Sequence, residues 1–380
     1  MMSFDYYKDR TDWFPVNAGN ANVSHYVFHD VNRNGIYDIG DKPLIQFAIR
    51  LTREDGSWAV RRSNLNGFVN FYNAIVDEDS EAAKKVEIRK PGVYTYEIIL
   101  PDGWYVTTQN AVQKITYTEL PGTRAGIVCD TVPVPIGVAQ ILTVSGSIVK
   151  KNENGTVDVA NNSDVEVIVT SPAGKQEQIQ LNDQGQYSFV GEPGIWKVNY
   201  HSSLGNHERI FELKTAPVKA CRVVLGSEEN NIGHKTIVNI VDFENITNRT
   251  VQKTPNGVGG VNWKNLNIIH HMFEGEGYSN GTVSGEYVAY NTSGYPVTIE
   301  LPEGFDFYGA YFTAAWLHNG QGETLEVKAW RDDQLIADEE FKLSALGPFW
   351  LDADFRNITK LVLSTKHYWQ FVVDDMKFGV

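Results

Sequence analysis

Apolar and polar residues alternate with a period of two through most of this chain. The alternation is plain in Ser24-His25-Tyr26-Val27-Phe28, in Ile45-Gln46-Phe47-Ala48-Ile49-Arg50-Leu51 and in Val93-Tyr94-Thr95-Tyr96-Glu97-Ile98-Ile99. These runs are rich in β-branched and aromatic residues, so they predict strands with one buried face. Turn signals fall between them: Glu54-Asp55-Gly56, Asn66-Gly67, Lys90-Pro91-Gly92 and Leu100-Pro101-Asp102-Gly103. Long helical patterns are nearly absent. The charged, Ala-rich stretch Asp77–Lys85 reads as a loop or one short helix. The expected fold class is all-β.

The pattern then repeats. With Asn34-Gly35 set on Asn154-Gly155, Ile45–Ile49 falls on Val165–Val169, and Asp55-Gly56 falls near Ala173-Gly174. Asn66-Gly67-Phe68-Val69-Asn70-Phe71 falls on Gln184-Gly185-Gln186-Tyr187-Ser188-Phe189, and Pro91-Gly92-Val93-Tyr94 on Pro193-Gly194-Ile195-Trp196. Two tandem β-sandwiches are therefore expected, at residues 24–142 and 143–226. Residues 1–23 form an extended lead-in, in which Trp13-Phe14-Pro15 is a candidate docking segment. The polar stretch 227–235 reads as a linker. Residues 236–380 make a third β module of different character.

One stretch between two predicted strands carries distinct chemistry. His29–Asp41 places oxygen side chains at Asp30, Asn32, Asn34, Asp38 and Asp41, which are positions 1, 3, 5, 9 and 12 of a calcium loop. Gly35 sits where the backbone must turn, and Ile36 offers its carbonyl. A hard cation needs six to eight oxygens at about 2.3–2.6 Å, and this spacing wraps them around one point. An Asn/Asp/Gly-rich hairpin would use the same residues. Under the alignment above, Asp30 falls on Lys150, Asn32 on Asn152, Asn34 on Asn154, Asp38 on Asp158 and Asp41 on Asn161. The second copy is therefore expected to bind no calcium.

The flanking strands exclude a helical EF-hand. The loop and its strands resemble the B-type repeats of bacterial surface adhesins (the Sdr-type B domain). That resemblance implies a structural Ca2+ that rigidifies a β-sandwich stalk. The second copy, with its G-x-Y-x-F and P-G-x-W elements, is similar to the carboxypeptidase regulatory-like domain, a transthyretin-like sandwich that implies no peptidase activity.

The third module opens with Asp242-Phe243-Glu244 and closes with Phe371-Val372-Val373-Asp374-Asp375. Between them lie Gly260-Val261-Asn262-Trp263 and Thr313-Ala314-Ala315-Trp316. These elements resemble bacterial jelly-roll domains of exported proteins, some with PEP-CTERM sorting tails, and are shaped like carbohydrate-binding modules. The resemblance implies a cation tying the first strand to the last through Glu244, Asp374 and Asp375. It also implies a sugar face, for which an aromatic platform with fixed hydrogen-bonding groups is the physical requirement. Trp263, Trp330 and Trp350 are the candidate ligand-binding residues. Trp330 is expected to face away from Val327 and Ala329. Trp316 is expected in the core. His318-Asn319 and Tyr368 lie near the candidates in sequence.

Composition narrows the function classes. A net charge of −14 across 380 residues argues against nucleic acid, which needs a basic footprint. Two cysteines, Cys129 and Cys221, provide no disulfide framework and are expected to be buried thiols. No apolar run approaches a membrane span, and the first residues do not read as a signal peptide. Carboxylate pairs are abundant but none sits in a catalytic context, His270-His271 lacks a zinc-protease pattern, and no nucleophile elbow occurs. The expected protein is non-catalytic and extracellular or on the cell surface: a calcium-stiffened stalk presenting a jelly-roll for glycan binding or adhesion. The alternative is a self-associating structural subunit of a filament, sheath or surface layer.

Overall fold

The computed structural model describes residues 23–71, 90–122, 127–228, 232–317, 323–367 and 369–380. Trp13-Phe14, Asp77–Lys85, His318-Asn319 and Tyr368 lie outside the described residues. Strand is nearly the sole regular secondary structure of the described residues, as the period-two pattern requires, and the chain divides into two compact units, residues 1–139 and 140–380. No helix among the described residues is long and apolar enough to cross a membrane.

In the first unit two five-stranded sheets form. One joins Val23–His29 to Phe68–Phe71, to Lys42–Pro43 and, in parallel, to Ile136–Gln140, with Trp104–Val106 at its far edge. The other runs Trp58–Arg62, Ala48–Arg53, Gly92–Ile99, Val112–Glu119, Ile127–Cys129. In Val112–Glu119 the side chains alternate between exposed and buried, so Ile115 and Tyr117 reach the core while Lys114 and Thr118 do not.

The repeat is real in three dimensions. Val23–His29 pairs antiparallel with Phe68–Phe71, and Thr143–Lys151 pairs antiparallel with Gln186–Val190. Ala48–Arg53 lies between Trp58–Arg62 and Gly92–Ile99, and Val165–Thr170 lies between Gln176–Ile179 and Gly194–Ser202. Even the turn before the returning strand is duplicated. Asn64 Oδ1 accepts the Asn66 and Phe68 N–H groups, and Asn182 Oδ1 accepts those of Gln184 and Gln186. Gly67 (φ 78°) and Gly185 (φ 67°) close these turns. A Cβ on Gly67 would stand 2.6 Å from the Val27 carbonyl oxygen, and one on Gly185 2.7 Å from that of Ile148. Left-handed backbone and contact together forbid any side chain. Gly67→Ala and Gly185→Ala are each expected to cost about 1–3 kcal/mol. Urea unfolding of the two variants checks this; a neutral result at either glycine would contradict the equivalence.

The registers correct two details of the repeat. Thr52↔Trp58 and Thr170↔Gln176 flank equivalent turns, so Phe47–Leu51, not Ile45–Ile49, lies on Val165–Val169. His29 pairs with Lys42 in the first copy and Lys150 with Asp158 in the second, each one residue beyond Phe28↔Pro43 and Val149↔Val159. Asp30 therefore corresponds to Lys151, not Lys150. Residues 30–41 make a twelve-residue loop, whereas residues 151–157 make a seven-residue one. The second loop is five residues shorter and keeps a single carboxylate, Glu153, and closes as a hairpin through Asn152 N to Thr156 O at 2.8 Å and Gly155 N to Asn152 O at 2.9 Å.

In the second unit two cores can be told apart. Val144, Ile148, Val167, Tyr187, Trp196, Tyr200 and Phe211 belong to one, and Phe243, Trp263, Phe305, Phe312, Leu351 and Phe378 to the other. The C-terminal module is built on two long strands, Val297–Ala314 and Phe349–Thr365, flanked by Thr324–Arg331 and Phe371–Gly379. Register shifts between Glu300 and Gly309 accommodate Pro302, which cannot donate to a regular ladder.

The expected linker does not separate these modules. Val218–Ala220 pairs in parallel with Trp350–Asp352, so strands of the second sandwich continue into the sheet of the C-terminal module. Trp350 N donates to Pro217 O and Cys221 N to Asp352 O, both at 2.8 Å. Beneath them Arg209 Nη1 donates to Cys221 O at 2.9 Å and to Asp352 Oδ2 at 3.2 Å. Arg222 Nε meets Glu339 Oε1 at 2.9 Å. Cys221 is buried, as expected, and burial pushes its thiol well above the usual range. Cys129 is only half-buried, because its short strand sits at the sheet edge.

Candidate functional site

The loop 30–41 is held by its own oxygens. Asp30 is fully buried; its Oδ1 accepts Asn34 N–H at 3.1 Å and its Oδ2 accepts Gly35 N–H at 2.7 Å. Asn32 Oδ1 accepts Asn34 N–H, and Asn34 Oδ1 accepts Ile36 N–H at 2.7 Å. Asp41 bridges the loop ends, accepting Val31 N–H on Oδ1 and Asp38 N–H on Oδ2, both at 3.0 Å. Gly35, at φ 76°, makes the turn, and a Cβ there would stand 3.0 Å from the Thr107 carbonyl oxygen. Tyr37 pins the tip: its ring packs on Phe28 and its hydroxyl accepts from Tyr26.

Three carboxylates thus share one short loop. Burial raises the Asp41 carboxyl above its ordinary range, and the charges of Asp30 and Asp38 add to that. Asn32 Nδ2 and Asn34 Nδ2 donate to Asp38, at 3.1 and 2.8 Å, and offset part of the repulsion. The donor set of carboxylate, amide and carbonyl oxygens fits a hard divalent cation. Among the described residues no group of three His, Cys, Asp or Glu side chains converges as a metal cluster. A cation here would therefore depend on Asn32, Asn34 and the Ile36 carbonyl, with both amides turned to present oxygen.

In the C-terminal module Glu244, Asp374 and Asp375 each bond to the segment 283–287, but the three carboxylates do not converge as a metal cluster. Glu244 Oε1 accepts Glu286 N–H at 2.9 Å and Tyr287 N–H at 2.6 Å. Asp374, fully buried, accepts Val283 and Ser284 N–H on Oδ2 and Asp375 N–H on Oδ1. Asp375 Oδ1 accepts the Ser284 hydroxyl at 2.7 Å. Burial pushes the Asp374 carboxyl well up, Asp375 adds to this, and the three N–H donors oppose it. These acids clamp a loop between the first and last strands of the module by hydrogen bonds.

The aromatic candidates separate by burial. Trp263 is no sugar platform: it is 4% exposed, its Nε1 donates to Val258 O at 2.9 Å, and its ring meets Phe378 edge-on. A tryptophan flanked by loops has turned into the core. Trp350 is half-buried against the core of the second sandwich and meets Tyr311 at 5.0 Å, so it serves the junction rather than a ligand. Trp330 is half-buried and lies on the face opposite Val327 and Ala329, with Lys360 Nζ 5.4 Å from its ring centre. Trp316 packs against Tyr278, as a core residue would.

A cleft absent from the sequence-based reading lies beside the junction in the second unit. Its volume is about 480 Å3, and Lys151, Arg209, Arg222, Arg331 and Arg356 line it. One signal pointed to it: Arg209 stands in phase with Phe211 and Leu213, where the alternation calls for an apolar residue.

The fold and these sites define a modular chain of β-sandwiches with an oxygen-rich loop in its first copy. No protein-family model matches the chain, and no curated protein matches it. Among solved structures it is similar to the Bacillus anthracis TIE protein, at 10% identity over 90% of this chain and TM-score 0.24; the chain spans about half (51%) of that one. It is also similar to GBS52, the minor pilin of Streptococcus agalactiae, at 9% identity, TM-score 0.21, over 54% of this chain and 95% of that one. A third likeness is to CBM51-2, in complex with GlcNAc, and INT domains from Clostridium perfringens ZmpB, at 16% identity, TM-score 0.25, over 62% of this chain and 48% of that one. At such TM-scores the likenesses carry no argument about what the chain does.

Proposed function

We propose that this chain is a non-catalytic modular protein of the cell exterior. Its first sandwich is stiffened by Ca2+, and its second unit presents a glycan-binding surface. The observation that carries this reading is the twelve-residue loop in which Asp30, Asn32, Asn34, Asp38 and Asp41 share one hydrogen-bonded turn, against a seven-residue hairpin without it in the otherwise equivalent second copy. A fold that stands without the loop uses it for rigidity, not for folding itself. Glu244, Asp374 and Asp375 are proposed as a second cation position, and the half-exposed Trp330 as part of the sugar face.

Calcium at a hundredfold excess over its dissociation constant is expected to stabilise the first unit by about 2.7 kcal/mol. Its thermal midpoint should then rise by several degrees, and Asp30→Ala should abolish the rise. Scanning calorimetry with and without chelator checks this; a wild-type melt that the chelator leaves unchanged would sink the calcium reading. Titration calorimetry separates one site from two. A glycan array on the intact chain tests the binding role.

A second reading, a self-assembling structural subunit, is favoured by one observation. Ile237, Val238 and Ile240 are 62%, 46% and 63% exposed, and Val238–Val241 pairs on one side only, with Phe371–Gly379, among the described residues. Such an apolar edge suits strand addition from another copy. Light scattering of the purified chain distinguishes the two: large ordered species with a blank array favour assembly.

A further inference from the structure

The cleft beside the junction is chemically unlike the rest of the molecule. In a chain of net charge −14, five cationic side chains, Lys151, Arg209, Arg222, Arg331 and Arg356, stand against three carboxylates, Glu228, Glu339 and Asp354. Most of these groups are already fixed. Arg356 holds Asp354 through Nε and Nη2, at 3.3 and 3.0 Å, and Arg222 holds Glu339. Arg331 donates from Nε to Asn357 O at 3.0 Å and from Nη2 to Arg356 O at 2.6 Å. Their guanidinium planes are therefore set before any ligand arrives, which lowers the ordering cost of binding. Arg209 is 8% exposed; its Nη1 is committed to Cys221 O and Asp352, but its buried Nε–H has no partner. An unsatisfied buried donor costs about 1–3 kcal/mol, and an acceptor supplied from the cleft would remove that cost.

We propose that this cleft binds a carboxylate-bearing sugar, such as a uronic acid unit of an acidic polysaccharide. The assignment rests on the glycan-binding reading above and deepens it. The carboxylate is recognised by the arginine and lysine side chains, whose N–H donors suit planar oxyanions. The three carboxylates and Gln334 offer acceptors and donors for ring hydroxyls, which a site built for a simple anion would not need. The half-exposed Leu335 and Val157 supply the apolar strip on which a ring face rests. A cleft of about 480 Å3 is within the range of small-ligand sites.

The test uses the intact chain on an array of neutral, uronate-containing and sulfated oligosaccharides, followed by calorimetry with a uronate trisaccharide. Two variants accompany it. Lys151→Glu reverses an exposed charge at the rim and leaves the fold alone. Arg209→Lys keeps the cation beside Asp352 but removes the Nε donor; its fold is checked by its melt. Binding of uronates, weakened about tenfold or more by Lys151→Glu and falling with added NaCl, supports the proposal. Binding of neutral sugars alone, or uronate binding indifferent to both variants, overturns it while the glycan reading stands. Sulfated sugars bound in preference to uronates overturn the carboxylate assignment. A blank array overturns both.

Discussion

Arg209→Met is expected to destabilise residues 140–380 by about 3–5 kcal/mol, the range for removing one partner of a buried ion pair. The Arg209 and Asp352 side chains are 8% and 15% exposed. Burial already pushes the Asp352 carboxyl up, and Arg209 is the first group that opposes the shift. Without the guanidinium, the carboxyl would have to protonate or drag water into the junction, and Cys221 O would lose its donor. Arg209→Met with Asp352→Leu should recover most of the loss, because two apolar side chains of similar volume leave no uncompensated charge. Urea denaturation of the two single variants and the double variant measures this coupling. A single variant costing under about 1 kcal/mol, or a double variant costing the sum of the singles, would show that the pair does not hold the junction.

The second large effect is acid lability of the first unit. His25 is 2% exposed, its Nδ1 accepts Tyr26 N–H at 3.0 Å, and its ring meets Tyr96 edge-on. The Tyr26 backbone and the Gln113 side chain pull its affinity for a proton upward, and burial outweighs both. Burial lowers its pKa to about 4, from an ordinary 6.5. The unfolded chain therefore binds the proton more tightly than the folded one. The stability held by neutral His25 is complete above pH 6.5 and is lost as pH falls toward 4, with no further loss below. For His25 alone the span corresponds to roughly 3.4 kcal/mol at most. The stability of the first unit, read in the full chain by hydrogen exchange of its own strand amides, should drop across that window. His25→Phe should remove about half of the slope, because burial lowers the pKa of His29 to about 4 as well and His29 titrates in the same window. A flat wild-type profile, or an unchanged slope in the variant, would contradict a buried neutral imidazole.

What was legible in the chain was local. Val93–Ile99 and Val165–Val169 declare strands because a period of two needs only neighbours. The turns at Gly67 and Gly185 declare themselves because few residues tolerate that backbone. The loop at Asp30–Asp41 declares its donor set by spacing alone. What was not legible depended on distance. The pairing of Val218–Ala220 with Trp350–Asp352 joins segments more than a hundred residues apart and leaves no pattern in either. The one-residue slip at Lys151 came from a five-residue shortening that only strand registers reveal. Trp263 stood beside glycines and looked like a rim residue, but burial is decided by what packs over it, here Phe378. Arg209 was visible as a charge in phase with Phe211 and Leu213, and its meaning needed Asp352, 143 positions away.

The shared sheet at the junction also governs how the chain can be dissected. A fragment cut at residue 236 would carry off Trp350–Asp352 without Val218–Ala220, leaving an open strand edge beside a carboxylate stripped of its arginine. Such a fragment is expected to aggregate through that edge. One beginning at residue 140 keeps the seam closed and is the smaller piece to express.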